Sequence, residues 1–509
     1  MDLLLHETWS ALLKASLDNW IIIGSAITLG VVAIEAVWTL YSWNRLRHIG
    51  GPTLAAFSNL WIVRAMTGGK TDLVLAEVNE KYGSLVRVGP NELLTSDPTL
   101  LRRINGVRSR YKRSEWYLAM RFDPARDNVL SQRDDELHNV LRTKMSAGYS
   151  GKEVDALEYK VDRNIVALIN LLGEKYVSTP GNPRPVDFGP MAQYFTLDVI
   201  SDIAYSEPFG CLASDSDILG YIQAVNESIP MVMLFSAMPR LNWILQSAIM
   251  KRFLPSDRDQ LGFGRLMKIC KQKASERFGE DKQEKRDMLG SFVRHGLTQP
   301  EAQSETLLQI MAGSETTATA IRATLLHLTT APSAYAKLVS EITAASKTVA
   351  TPIPASAARS LPYLQAVIKE GLRIWPPLSG VLSKITPPEG DEFNGLHIPG
   401  GTVVGCSPFG LSRNKEVWGE DANVFRPERW LEGTTEELRE KEAALDLTFG
   451  HGKWQCLGKN IAYMELNKIF FELLRNFDIQ VASPTKVWDS TCVGIFLQKN
   501  FWLIFTRRD

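Results

Sequence analysis

The most pronounced pattern in the sequence is a long apolar run near the N-terminus. Residues 20–43 are apolar except for Glu35, and about 20 such residues suffice for a helix to cross a bilayer. Aromatic residues stand at both ends of the run, and Arg45 follows it at once, as is typical of membrane interfaces. A cleaved signal peptide is the alternative, but the run is too long and begins too late. We expect residues 1–19 in the lumen, a transmembrane anchor over 20–43, a stiff hinge over 44–52 and a cytosolic globular part.

Beyond the hinge, the spacing of apolar residues changes from strand-like to helical. Residues 81–98 alternate apolar and polar side chains, with Gly89-Pro90 between the two halves, which predicts a β-hairpin. Helical periodicity then dominates up to Trp375, interrupted only by polar loops. A second short strand region is predicted over residues 379–404. The fold class is therefore mainly α with a minor β-sheet, in one large domain.

Composition narrows the class of protein. Lys plus Arg and Asp plus Glu both number 57, so the chain lacks the positive excess of a nucleic-acid binder, and we expect no nucleic-acid partner. The five cysteines are odd in number and widely scattered, which argues against a disulfide framework and favours a reducing compartment.

One of these cysteines lies in the stretch FGHGKWQCLGKNIA, where Cys456 is surrounded by glycines and precedes a predicted helix. Only His451 is close enough to share a zinc ion, so a structural zinc site is disfavoured. A hydrolytic cysteine remains possible on spacing alone. However, glycines let a backbone pass close to a flat group such as haem. A helix N-terminus also favours a thiolate, which suits a permanent iron ligand.

This stretch resembles the haem-binding signature of the cytochrome P-450 monooxygenases, through Phe449, Gly452, Cys456 and Gly458. The resemblance extends from Gly51 to the C-terminus, and the nearest subgroup is that of fungal pisatin-demethylase-like sequences. It implies the cytochrome P-450 fold, with residues 53–509 as a haem-thiolate catalytic domain. It also implies a haem cofactor whose iron has Cys456 as its axial ligand.

A second family motif occurs in LQAVIKEGLRIWPP, where Glu370 and Arg373 are three residues apart on one helical face. A solvated salt bridge is the plain alternative, and it contributes little. The resemblance implies a buried pair that binds a later arginine, either Arg426 or Arg429, and braces the cysteine loop. We expect a structural role with no direct part in the chemistry.

The third motif is the helix TLLQIMAGSETTATAIRATLLHL, which places polar residues in an otherwise apolar segment. Thr316 is expected to bond back to the carbonyl of Ala312 and open a groove beside the iron. The resemblance implies that Glu315 and Thr316 are catalytic and supply protons for oxygen cleavage. The alternative is a kinked core helix whose hydroxyls are merely satisfied.

The carboxylates of haem require basic partners, and here the sequence departs from the family pattern. His138 and Arg142 lie one turn apart where tryptophan and arginine are usual, and Lys384 replaces a common arginine. We expect these three residues to bind the haem propionates. The basic residue usually found two positions before the cysteine is replaced by Trp454.

The resemblance predicts a monooxygenase that oxidises a lipophilic small molecule in fungal secondary metabolism, on the endoplasmic reticulum membrane. No nucleotide-binding motif is present, so electrons should come from a separate NADPH-cytochrome reductase. Lys144, Lys453 and Lys459 are candidates for its docking site. A haem-thiolate isomerase or dehydratase, which needs no reductase, and a non-catalytic haem sensor are the alternatives. Pocket-lining segments are expected at residues 115–129, 225–238, 308–316, 378–382 and 493–497.

Overall fold

The structure is a computed structural model that describes residues 2–242, 247, 250, 255–260 and 262–508. Helices predominate, and the strands are short. The helices are α1 Asp2–Leu46, α2 Thr53–Phe57, α3 Leu60–Thr67, α4 Thr71–Tyr82, α5 Pro98–Asn105, α6 Asp135–Tyr149, α7 Leu157–Leu171, α8 Phe188–Tyr205, α9 Cys211–Ser214, α10 Tyr221–Ala237, α11 Gly262–Ser275, α12 Met288–Arg294, α13 Gln299–Thr329, α14 Pro332–Ser346, α15 Ala355–Arg359, α16 Pro362–Ile374, α17 Pro408–Ser412, α18 Lys415–Trp418, α19 Thr435–Leu445 and α20 Lys459–Asn476. The strands are β1 Leu85–Arg87, β2 Glu92–Thr95, β3 Lys112–Arg113, β4 Val186–Asp187, β5 Lys384–Ile385, β6 Asp391–Phe393, β7 Leu396–Ile398, β8 Val403–Cys406, β9 Phe477–Val481, β10 Asp489–Cys492, β11 Phe496–Lys499 and β12 Trp502–Arg507.

The largest described sheet has the strand order β1-β2-β8-β5-β3. The predicted hairpin is confirmed, because β1 and β2 pair antiparallel, with Val86 opposite Leu94. The predicted contribution of residues 379–404 is also confirmed, since β8 adds to β2 in parallel and β5 pairs with β8. This sheet places β3 beside β5, which brings two basic residues of the site to neighbouring positions.

Helix α13 runs through the centre of the globular part and packs along α8. A capping box between Thr298 and Glu301 defines its start. Gly313 permits the close approach of the two helices, because a Cβ there would lie 2.9 Å from Cγ1 of Ile200. The helix remains α-helical through Gly313, so the expected opening of its hydrogen-bond ladder is not seen in the assigned secondary structure.

The apolar run is part of α1, which extends from Asp2 rather than starting at residue 20. Residues Ile22–Leu46 are long and apolar enough to cross a membrane by length and composition, and none of the apolar window is buried against the protein. One such helix fits a single-pass anchor.

The end of α1 is fastened to the globular part instead of leading into a free linker. The buried guanidinium of Arg87 donates to the carbonyls of Trp43 (3.4 Å), Ala56 (3.1 Å) and Pro90 (2.6 Å). Leu46 is buried in the same region, which adds apolar contact to these polar ones. These contacts join the end of α1 and the start of the globular part on either side of the segment predicted as a hinge.

Candidate functional site

The loop that carries Cys456 contains two short 3-10 segments, Asp446–Phe449 and Gly452–Trp454, and Cys456 follows the second of them. Gly450 and Gly452 have φ angles of 75° and 61°, in the left-handed region where glycine is favoured. A Cβ on Gly452 would also lie 2.5 Å from the carbonyl oxygen of Asn105. The Cys456 N–H donates to the carbonyl of Phe449 at 2.7 Å, which closes the turn. Gly450 and Gly452 are therefore required by the backbone conformation of the turn. Sequence spacing alone does not show this requirement.

The thiol of Cys456 stands at the N-terminal end of α20. Burial within the fold raises the pKa of Cys456, whereas the backbone N–H groups of Gly458 and Lys459 and the charge of Arg142 lower it. A Cβ on Gly458 would lie 3.9 Å from Sγ, an ordinary contact. The thiol is accessible although it lies deep in the protein, so it is available as a ligand.

Helix α13 presents a second accessible position in the interior. Ala312 is exposed although most of the helix around it is buried, and Thr316 is half-buried one turn later. The hydroxyl of Thr316 donates to the carbonyl of Ala312 at 2.7 Å, as the sequence predicted. An accessible thiol and an accessible small residue on a central helix are surfaces of the kind that a bound flat cofactor would cover.

Glu315 points to a different neighbourhood from Thr316, because adjacent residues of a helix do not share a face. Arg322 donates to one Glu315 carboxylate oxygen at 3.0 Å, and the side-chain amide of Gln193 donates to the other. Burial raises the pKa of Glu315, and the charge of Arg322 opposes this. No hydrogen bond joins Glu315 and Thr316 among the described residues. The acid and the alcohol are therefore not brought together in this conformation.

The indole of Trp454 is the centre of a basic cluster. His138 packs against it with ring centroids 4.2 Å apart, and Lys384 Nζ lies 4.4 Å from its centroid. The guanidinium of Arg113 lies closest, at 4.1 Å. Trp454 thus replaces a basic residue with a surface on which neighbouring cations stack.

The cluster is short of negative charge. Burial and nearby cations lower the pKa of Lys384 to about 6 and that of Arg113 to about 10. The same causes lower the pKa of His138 to about 3. The low pKa favours the neutral imidazole, which can still meet a carboxylate as a hydrogen-bond donor.

Several donors in the cluster lack partners. Three buried nitrogen atoms have no hydrogen bond among the described residues: Nε of Arg113, Nε1 of Trp454 and Nδ1 of His138. Unpaired buried donors are costly, and an anionic ligand satisfies them. Two carboxylates of a haem fit this cluster: Arg113 supplies charge, and a carboxylate beside Lys384 would favour its protonated form. Arg142 instead donates to the carbonyl of Gln455 at 2.6 Å, and so braces the turn directly before Cys456.

Arg113 is the residue that sequence reasoning missed. It belongs to no local motif. The sequence shows only that a basic residue occurs in a short strand, which does not indicate a role at the site. That strand, β3, pairs with β5, where Lys384 lies opposite Arg113. Its guanidinium also donates to the carbonyls of Val129 and Gln132, both at 2.8 Å.

The Glu370 cluster is buried, as the sequence predicted. Glu370 accepts from Arg373 at 2.7 Å and from Arg429 at 3.0 Å, and all three side chains are fully buried. Arg429 is therefore the later arginine. Arg426 contributes only its backbone N–H, while its guanidinium binds Asp421.

Comparison with known proteins agrees with this geometry. Residues 50–503 match the family described as Cytochrome P450. The chain is 42% identical over 494 residues to cytochrome P450 monooxygenase ABA1 of Pyricularia oryzae, covering 94% of this chain and 96% of that protein. It is 39% identical over 470 residues to aba1 of Botryotinia fuckeliana, covering 91% and 92% of the two chains. It is 38% identical over 490 residues to abl1 of Leptosphaeria maculans, covering 94% and 85%.

These relatives are fungal monooxygenases, and nothing in the comparison points to the pisatin-demethylase subgroup in particular. The assignment to the cytochrome P450 family rests on a match over nearly the whole globular part and on several relatives that align over most of their length. The chain belongs to the cytochrome P450 family and is a haem-thiolate monooxygenase.

Proposed function

We propose that this protein is a membrane-anchored monooxygenase that uses O2 and NADPH electrons from a separate reductase. Its substrate is a lipophilic small molecule of fungal secondary metabolism, which it hydroxylates, demethylates or epoxidises. The observation that supports this most is the accessible Cys456 thiol at the start of α20, two residues after Trp454, whose indole carries a basic cluster suited to carboxylates. Haem with a thiolate ligand supplies the activation of oxygen.

Within this proposal, the chain's own residues position the cofactor and manage protons. Cys456 and Arg142 fix the iron side through the turn, and Arg113 and Lys384 bind the propionates. Thr316 holds a water near Ala312 and passes a proton from its hydroxyl. Glu315 is the proposed source of that proton, although it first has to leave Arg322 to reach Thr316.

The proposed location is the endoplasmic reticulum membrane, with a single pass through α1. Residues 1–19 then lie in the lumen, residues 20–43 span the bilayer, and residues 53–509 form the cytosolic catalytic domain. The support is the apolar span Ile22–Leu46 and its unburied surface.

The lysines proposed for reductase docking are each already paired. Lys144 binds Glu301 at 3.2 Å, Lys453 binds Asp135 at 2.6 Å and Lys459 binds Asp446 at 2.7 Å. These pairs reduce the positive charge that a partner meets. A docking surface around Cys456 therefore depends on how readily the pairs exchange for acidic groups of the reductase.

The experiment that tests the proposed function measures turnover with and without the reductase. The full-length protein in membranes is incubated with candidate terpenoid, polyketide or alkaloid intermediates. We expect oxidised product only when NADPH, reductase and O2 are all present. Rearranged or dehydrated product in their absence contradicts the proposal and identifies an isomerase or dehydratase.

In the same assay, Thr316→Ala is expected to uncouple NADPH consumption from product formation. The change keeps a helix-compatible side chain, so haem content should be preserved. The loss of the hydroxyl impairs proton delivery, a contribution worth about 10²–10⁴-fold in rate at most. The measured quantities are product formed, NADPH oxidised and hydrogen peroxide released.

The matched control is Thr329→Ala at the end of the same helix. Thr329 makes the same kind of bond, from its hydroxyl to the carbonyl of Leu325 at 2.7 Å, but lies 13 residues from Thr316. Its replacement should leave coupling unchanged. Equal coupling in wild type and Thr316→Ala rules out the proton-delivery role of this hydroxyl.

A further inference from the structure

Glu305 is a buried acid on α13 that does not belong to the site described above. It is 2% exposed, and no cation pairs with it among the described residues. Its Oε1 accepts the N–H of Val129 at 2.8 Å, whereas its Oε2 is buried and has no hydrogen bond in the part of the chain that the structure describes. Gln309, four residues further on the same helix face, has an equally unpaired Oε1. Because a carboxylate can only accept hydrogen bonds, the protonated acid suits these surroundings better.

The charged groups around Glu305 agree with a protonated acid. Burial raises the pKa of Glu305 to about 8, its backbone hydrogen bond lowers it, and the charge of Glu301 raises it further. Lys144 of α6 binds Glu301 at 3.2 Å and so is not a partner for Glu305. The pKa of Tyr149 on α6 is raised by burial and then by the charges of Glu305 and Cys456. None of these neighbours stabilises a carboxylate at position 305.

The residue that Glu305 binds, Val129, belongs to the segment 121–134, which leads into α6. This segment has its own hydrogen bonds and its own ion pair. The fully buried Asn128 accepts two backbone N–H groups of the same turn through its Oδ1. Asp127 binds Arg121 at 2.6 Å, so its charge is neutralised within the segment. Glu305 therefore holds a turn that is already ordered internally.

The backbone of Val129 is bound from both sides. Glu305 accepts its N–H, and Nη1 of Arg113 donates to its carbonyl at 2.8 Å. The same Nη1 also donates to the carbonyl of Gln132 at 2.8 Å. These bonds orient the guanidinium of Arg113, which lies 4.1 Å from the ring centroid of Trp454. Two consecutive hydrogen bonds thus connect the acid on the central helix with a cation of the basic cluster.

We propose that Glu305 is a positioning residue for the haem: as a protonated acid it holds Val129, and through Val129 it holds the guanidinium of Arg113 in place for a propionate. In this closed arrangement the acid is dry and neutral. If the segment opens, Glu305 meets water and ionises, so the open arrangement becomes more favourable as the pH rises. The inference rests on the proposed function, since it presumes that Arg113 binds a propionate.

The test measures the rate at which the full-length holoenzyme releases haem to an excess of apomyoglobin. Two variants that cannot ionise are compared first. Glu305→Gln keeps an oxygen that can accept the Val129 N–H, whereas Glu305→Leu leaves that N–H without a partner. We expect Glu305→Leu to release haem several-fold faster than Glu305→Gln.

The pH dependence separates this role from a merely structural one. By linkage, the opening of the wild-type segment becomes more favourable by up to about ten-fold per pH unit between about pH 6 and about pH 8, and levels off above the pKa of about 8. Wild-type haem release should accelerate accordingly, and Glu305→Gln should lack this rise. Titration of Lys384 and the other cluster residues is common to both proteins.

Glu472→Gln is the matched control. Glu472 on α20 is also buried, burial raises its pKa, and it accepts the N–H of Ile353 at 2.7 Å. Ile353 lies in the loop between α14 and α15, which carries no residue of the site. Its replacement should leave the rate of haem release and its pH dependence as in wild type.

The double variant tests whether Glu305 acts through Arg113. Arg113→Gln should accelerate haem release by itself, and Glu305→Leu should add little to it, because both residues act in one chain of bonds. Fully additive effects overturn the inference, as do equal rates in Glu305→Leu and Glu305→Gln or a wild-type pH dependence in Glu305→Gln. Normal release in Arg113→Gln contradicts the proposed propionate site itself, and the positioning role with it.

Discussion

Replacing Cys456 with serine should abolish the red-shifted Soret band of the reduced carbon-monoxide complex while the fold largely forms. The turn is held by the backbone bond from the Cys456 N–H to Phe449 and by the left-handed glycines, none of which requires the thiol. A serine hydroxyl stays protonated at neutral pH, so the anionic ligand is lost. Difference spectroscopy of the reduced protein with and without carbon monoxide measures the outcome.

Cys270→Ser is the control for this substitution. Cys270 is buried beside the hydroxyl of Tyr205, at 3.5 Å, and belongs to a different apolar cluster from the cysteine loop. The serine retains a hydrogen-bonding partner there, and the red-shifted band should persist. A normal band in Cys456→Ser would show that another residue is the iron ligand.

Glu370→Ala should destabilise the catalytic domain by about 3–5 kcal/mol, because it leaves buried guanidinium groups without their carboxylate. Glu370 also accepts from the indole N–H of Trp430 at 2.9 Å and from the Arg426 backbone. Its loss therefore removes several bonds at once from a fully buried centre. Denaturant unfolding followed by circular dichroism, together with haem content, measures the effect.

The comparison variant is Glu436→Ala, which removes the carboxylate of an exposed pair. Glu436 and Arg439 are three residues apart on α19, and their side chains are 73% and 71% exposed. Exposed pairs contribute about 0–1 kcal/mol, so stability should hardly change. Similar stability in the two variants would mean that the Glu370 cluster is not a structural centre.

The features that could be predicted from the sequence are those whose residues lie close together along the chain. The cysteine loop, the Glu370 and Arg373 pair and the back bond of Thr316 each lie within one turn or one helix. Local geometry then fixes which atoms meet, whatever the rest of the chain does. The hairpin was predictable for the same reason, because period-two alternation and a Gly-Pro turn are local signals.

The features that were not predicted join segments distant in the chain. The resemblance led us to expect His138 and Lys384 at one site, but not that Arg113 and the Trp454 indole join them, because only the folded sheet and α6 bring these four elements together. The orientation of Glu315 depends in the same way on Gln193 of α8. Sequence spacing carries no information on such meetings, so neither the low pKa of His138 nor the pairing of Glu315 with Arg322 was foreseeable.

If α1 spans a bilayer as proposed, its fastening by Arg87 would link the orientation of the catalytic domain to the thickness of that bilayer. A helix that is too long for a bilayer tilts, and one that is too short draws the bilayer thinner. A flexible linker would not pass this tilt of the helix on to the catalytic domain. Because Arg87 binds the carbonyls of both Trp43 and Ala56, we expect the catalytic domain to turn together with the helix. In the proposed membrane-anchored state, lipid composition would thereby set how the catalytic domain is inclined to the bilayer surface.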